Sequence, residues 1–347
     1  FWLPEKVFEF FEKYPKIDQY VDVKQGLATG ENARFRRSWH EPSIKLVGFD
    51  GCNNKSKWFP YNSGGQYRKW YGNHDYVVNW SDNGNEIKNF KNEKGKVRSR
   101  AQNTKYYFKE SGSWSKMTAS GLTLRYYPPG FVFDVSGCSF FGKEDDLYFI
   151  IGLLNSQLKI PFIDAINQSF NYEVGQISNV PIQIDQHYNL AVNLVRKTVN
   201  QSETDWNSRE ISWNFKKNPL LNETNSLEQA VQTWQEQVTQ DFFQLHTNEE
   251  ELNRIFIDIY GLQDELTPEV ALKDITILQE ELNKKDMVAL EDAFRANGAN
   301  AIELPIDKGE VVSQFISYAI GLFMGRYRLD QPGLNIAHPN PTSEELE

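Results

Sequence analysis

The chain has 347 residues, 39% of them hydrophobic and 14% aromatic. That is enough apolar side chain for about two cores of ordinary domain size and too much for wholesale disorder. Its two cysteines, Cys52 and Cys138, stand apart from any Cys/His cluster, which excludes a disulfide framework and a structural zinc site and fits a reducing cytoplasm. The formal charge of −10 conceals a division: residues 24–130 hold 19 Lys and Arg against 8 Asp and Glu, a net +11, whereas residues 186–347 carry −14. Attraction to phosphate depends on where cations sit, so an acidic average does not exclude a nucleic-acid partner.

Taken in order, residues 4–14 begin with Pro4 and place Val7, Phe10, Phe11 and Tyr14 at helical spacing, predicting a short opening helix. From 20 to 140 the pattern changes to short β-leaning runs, at 44–49, 76–80, 106–108, 122–127 and 130–133. Asp50-Gly51, Asn83-Gly84 and Pro129-Gly130 stand between them as turns. A helix is expected over 145–166, ending near Pro161 or kinked there, and a closing edge strand over 179–184. Beyond 185 the apolar period becomes helical: Leu190, Leu194, Val195 and Val199; then Leu227, Val231, Trp234, Val238, Phe242 and Leu245; then Leu252, Ile255, Phe256 and Ile259. Ser226 with Gln229 reads as a capping box for the middle helix. Residues 310–328 are apolar on more than one face, which predicts a helix enclosed by others. The apolar runs 147–166 and 311–324 are interrupted by polar groups or too short to span a bilayer, so no membrane partner is expected. The chain opens on Phe1-Trp2-Leu3-Pro4 without an initiator Met and closes in a polar tail, and it reads as a piece excised from a longer polypeptide.

Three motifs carry chemistry. In Gln25-Gly26-Leu27-Ala28-Thr29-Gly30-Glu31-Asn32-Ala33-Arg34-Phe35-Arg36-Arg37, two glycines permit a tight turn and three arginines follow directly, without the Walker pattern. From Lys57 to Trp80, eight aromatics including Trp58, Tyr61 and Trp70 stand among Lys57, Asn62, Arg68 and Lys69. Such rings wedge into bases while cations hold phosphate, but they also make ordinary sheet core, and a sugar site would use the same faces. Lys94, Lys96, Arg98 and Arg100 stand beside Gln102 and Asn103, and Lys116 and Arg125 extend the segment. A solvated basic loop is the competing reading there. His40, His74, His187, His246 and His338 lack ligand spacing, and no HExxH, GxSxG or GxGxxG occurs.

In this order the segments resemble the target-recognition half of the large adenine-specific DNA methyltransferases of BREX phage-defence systems, and are similar more loosely to type IIG restriction–modification enzymes. The matching positions are Gly26–Asn32 with Phe35, Arg37, Trp39, His40 and Glu41, then 57–80, 97–100, Gly152-Leu153-Leu154-Asn155-Ser156 and 174–181. Asp205-Trp206, Glu210, Ser212-Trp213, 255–269, Ser317-Tyr318-Ala319 and Gly325-Arg326-Tyr327 continue the match over nearly the whole chain. The residue patterns themselves predict an α+β fold, a mixed-sheet domain over 1–185 and a mainly α-helical domain over 186–347; the resemblance implies that the first is a DNA target-recognition domain and the second a spacer or support. It also implies duplex DNA as partner, an upstream catalytic methyltransferase domain of the same chain, and contact with other defence-system proteins. The expected DNA-binding residues are Thr29, Asn32, Arg34, Arg36, Arg37, Lys57, Tyr61, Asn62, Arg68, Lys69, Trp70, Lys96, Arg98, Arg100, Asn103, Lys116 and Arg125. One departure matters. Such enzymes need a glycine-rich cofactor loop and an Asn-Pro-Pro-Tyr-type tetrapeptide, yet the Asn-Pro pairs here, Asn218-Pro219 and Asn340-Pro341, lack the second proline and the aromatic. S-adenosylmethionine is therefore expected to bind elsewhere in the parent enzyme, and the segment alone is expected to be inactive. A non-DNA binding module such as a glycan binder, and a protein-docking platform, remain alternatives.

Overall fold

A computed structural model describes residues 5–51, 55–164, 167, 169–221 and 226–335. The chain divides into two compact units, residues 1–199 with 252–268, and residues 200–251 with 269–347. It is an α+β protein, as the sequence predicts. Helix α1 (Glu5–Lys13) buries Val7 and Phe10. There follow β1 (Asp22–Lys24), α2 (Asn32–Phe35), β2 (Arg36–Ser38), β3 (Trp58–Asn62), β4 (Tyr76–Asn79) and α3 (Ser81–Lys88). Next come β5 (Ser111–Ser115), β6 (Leu124–Tyr127), β7 (Val132–Phe133), β8 (Gly137–Phe141), α4 (Glu144–Asn155), α5 (Val174–Ser178) and α6 (Tyr188–Asn207). The last elements are α7 (Leu227–Tyr260), α8 (Lys284–Asn297) and α9 (Lys308–Phe323).

The first unit holds two four-stranded sheets, in the orders β1-β8-β5-β6 and β2-β4-β3-β7. Every pairing is antiparallel except β3 with β7. Strand β5 is buried throughout although it reads Ser-Gly-Ser-Trp-Ser, a composition that gives little strand signal. Its small residues have a packing reason: a Cβ on Gly112 would lie 2.0 Å from the ring of Phe140, and Ser113 Oγ donates to Cys138 O at 2.8 Å. Asn62 on β3 reaches the other sheet, its Nδ2 donating to Ser113 Oγ at 2.6 Å and Gly137 O at 3.3 Å, so the sheets are pinned by a satisfied buried amide.

Several local expectations give way to tertiary context. Residues 44–46 and 104–106 are short 3₁₀ turns instead of strands. Asn83-Gly84 lies inside α3, which bends through three left-handed residues, Asp82, Asn83 and Gly84. Helix α4 stops at Asn155, before Pro161, and residues 160–164 form a π turn. The expected edge strand at 179–184 contributes only the bridge of Pro181 to Lys16.

In the second unit α7 starts as the sequence predicts, with Gln229 N donating to Ser226 Oγ at 3.2 Å. Two expected helices are one continuous 34-residue element. Arg209, almost fully buried, donates from Nε and Nη2 to the two oxygens of Glu281, each at 2.7 Å, while Nη1 pairs with Asp205 at 2.9 Å. Asp307 caps α9 through Gly309 N and Glu310 N. That helix is not enclosed as predicted: Val311 and Tyr318 are buried, but Ile316, Ile320 and Phe323 stand exposed on its other side. No helix among the described residues is long and apolar enough to cross a membrane.

Candidate nucleic-acid interface

Two of the three basic motifs meet. Residues 26–28 run extended beside the 133–135 segment, with Leu27 N donating to Phe133 O at 2.8 Å and Val135 N to Leu27 O at 3.1 Å. On their other side Ala28 and Arg100 exchange both backbone hydrogen bonds, at 3.0 and 2.8 Å. The glycines permit this close approach. A Cβ on Gly26 would fall 1.9 Å from Phe133 O, and Gly30, at φ +74°, passes so near that its Cβ would lie 2.8 Å from the Arg98 carbonyl carbon. Thr29 is buried and donates from Oγ1 to Asn32 Oδ1 at 2.5 Å, shaping the turn into α2, while Asn32 itself is exposed.

The 91–97 segment is a hairpin, Lys91 pairing with Val97. Asn92 N donates to Lys96 O at 2.9 Å, and Asn92 Oδ1 accepts from Lys94 N and Lys96 N at 3.0 and 2.9 Å. Gly95 supplies the left-handed residue of the turn, at φ +74°. Arg98 N closes the base of the hairpin on Phe90 O at 2.9 Å. Every residue from Lys91 to Arg98 is exposed, as is Arg100.

Phe90 lies between the two motifs. The guanidinium carbons of Arg34 and Arg98 stand 5.1 and 5.5 Å from its ring centroid. Each arginine is also tethered: Arg34 Nη2 to Glu86 at 2.9 Å, and Arg98 Nη1 to Glu31 at 3.2 Å. The pairs are about half exposed, so they orient the side chains more than they stabilise the fold. Arg36 lies over Tyr76 at 4.1 Å and donates to Ser63 Oγ, and Arg37 donates to Ala33 O and Arg36 O. Lys57 is exposed beside Trp58.

The other predicted residues are elsewhere. Gln102 and Asn103 face inward, donating to Gly26 O at 2.8 Å and Gln25 O at 2.9 Å, so these amides hold the start of the glycine-containing loop. Lys116 pairs with Glu173 at 3.1 Å. Tyr61, Asn62, Arg68, Lys69, Trp70 and Arg125 are all buried. Tyr61 donates to Asp134, and burial followed by that carboxylate pushes its hydroxyl well above the usual phenol range. Arg125 donates from Nη1 to Arg68 O at 3.0 Å and from Nη2 to Ser115 Oγ at 3.1 Å, inside the sheet rather than at its surface. Burial, helped by the charges of Arg125 and Arg68, lowers His74 to about 3, so this ring is neutral at ordinary pH. Most rings of the aromatic segment are likewise enclosed, Trp58, Phe59, Tyr61, Trp70, Tyr71 and Trp80 among them. The residues that sequence reasoning passed over are Phe90, Glu86 and Lys91. The available signal was Asn92 three positions before Gly95 between two short runs, a hairpin turn.

No protein-family profile matches the chain. It is 38% identical over 353 aligned residues to a protein of Lacticaseibacillus casei strain Zhang named adenine-specific methyltransferase PglX. It is 30% identical over 342 aligned residues to one of Escherichia coli O9:H4 strain HS named adenine-specific methyltransferase BrxX. Each alignment takes in 97% of this chain but only 27% and 26% of the relative. Almost the whole chain is thus similar to about a quarter of two named adenine-specific methyltransferases.

Proposed function

We propose that the chain is the target-recognition segment of an adenine-specific DNA methyltransferase of a phage-defence system, gripping duplex DNA through the face built by residues 29–37 and 90–100. The observation that carries this reading is the backbone pairing of Ala28 with Arg100, which unites two cationic motifs about seventy residues apart in sequence into one exposed surface. Residues 29–37 and 90–100 hold eight Lys and Arg against two Asp and Glu, and such an excess of positive charge on one surface is what a polyanion requires. The glycan alternative loses support, since most rings it would use are in the core. The names of the two relatives support the methyltransferase context. Methyl transfer itself belongs elsewhere in such an enzyme: the residues present do not fit S-adenosylmethionine, because neither a glycine-rich cofactor loop nor the catalytic tetrapeptide occurs.

Binding of the 347-residue chain to a fluorescent duplex at increasing salt tests the reading. Five or so phosphate contacts give a slope of log affinity against log salt of about −4 to −5. A slope near zero, or no binding at low salt, overturns it.

A further inference from the structure

We infer that the hairpin between Phe90 and Arg100 enters the major groove and carries the sequence discrimination, with Lys96 and Arg98 meeting base edges, whereas Arg34 and Arg37 on the adjoining loop hold phosphate. The inference rests on the DNA-recognition reading above and adds the element that reads. Three properties single out the hairpin. It is a narrow hairpin closed by the Lys91–Val97 bridge and the Asn92–Lys96 backbone bond, slimmer than the two-stranded ribbon that a major groove admits. It projects: residues 91–98 are exposed without exception, and a Cβ on Gly95 would meet nothing within 4 Å. It is also pre-shaped, because Asn92 Oδ1 fixes the turn and the Phe90–Arg98 backbone bond fixes the base, so little ordering is left to occur on binding.

The side chains fit division of labour. Arg98 is oriented by Glu31 and by the ring of Phe90 yet keeps 44% of its side chain exposed, leaving a planar donor array held in position for the O6 and N7 acceptors of guanine. Arg34 and Arg37 sit on and beside α2 and not on the hairpin, and Arg37 is held by two main-chain carbonyls.

The test is enrichment from a pool of double-stranded oligonucleotides with a randomised centre, using the full 347-residue chain. Three proteins are compared: the unaltered chain, a variant in which residues 92–96 are replaced by Asn-Gly, and the double variant Lys96→Ala, Arg98→Ala. The hairpin's bonds close within itself, and the double variant changes only exposed side chains, so it decides the matter should the shortened chain fail to fold. The expected result is a motif enriched by the unaltered chain, lost or weakened about tenfold or more in both variants, while Arg34→Ala lowers affinity for all sequences alike and keeps the motif. Enrichment of the same motif by a folded hairpin variant overturns the inference and leaves DNA recognition standing. Failure of the unaltered chain to bind the pool overturns both.

Discussion

Two cationic segments of the first unit, one rich in aromatic rings and one nearly without them, end in opposite environments. Residues 57–80 carry Lys57, Arg68 and Lys69 among rings, and Arg68, Lys69 and most of the rings are buried. Residues 90–100 carry five cations and one ring, and all five cations are exposed. Backbone pairing makes the difference: Trp58–Asn62 lies between β4 and β7, and Trp70 is hydrogen bonded by its main chain to Leu124 and Tyr126, whereas the hairpin pairs mainly with itself. A charge count thus locates a cationic segment but not the side on which its charges emerge.

The comparison breaks most visibly at Arg125. Its guanidinium is inside the sheet, so Arg125→Ala should cost about 3–5 kcal/mol of unfolding free energy, read by chemical denaturation. A loss below about 1 kcal/mol would place Arg125 with the surface cations instead. Next is His74. Its folded pKa of about 3 lies below the ordinary value, so the stability tied to its neutral ring is complete above about pH 6.5 and is lost as pH falls toward 3. Each pH unit in that window should cost about 1.4 kcal/mol, and His74→Gln should flatten the dependence. Gly30→Ala should cost about 1–3 kcal/mol, because the residue is left-handed and the added carbon meets the Arg98 main chain; it should also weaken duplex binding by separating the two motifs. The smallest effect on stability belongs to Arg100→Ala, within about 0.5 kcal/mol, although affinity for duplex at low salt should fall several-fold and the salt slope should flatten by about one.

Much of the architecture was legible. Ser226 and Gln229 mark the start of α7, the β-branched and aromatic run at 76–80 marks β4, and the change of period after 185 separates helix-rich from strand-rich sequence. The two basic motifs could be recognised as cationic, but their meeting could not, since pairing of position 28 with position 100 is fixed by sheets formed from distant residues. Burial of Lys69 and Arg125 was equally hidden. A strand covered on both faces loses the alternation that distinguishes inside from outside, and β5, with three serines and a glycine, shows how far packing against one ring of Phe140 can override composition.

The hairpin closes its own ladder between Phe90 and Arg98, so its length is nearly decoupled from the sheets behind it. Inserting or exchanging residues at its tip costs only the slow logarithmic growth of loop entropy, while the same change in β3 or β5 would shift a register shared by two neighbours. Variation in a lineage should therefore accumulate at residues 92–96 far faster than in the strands, making this protrusion a replaceable cassette on a conserved chassis.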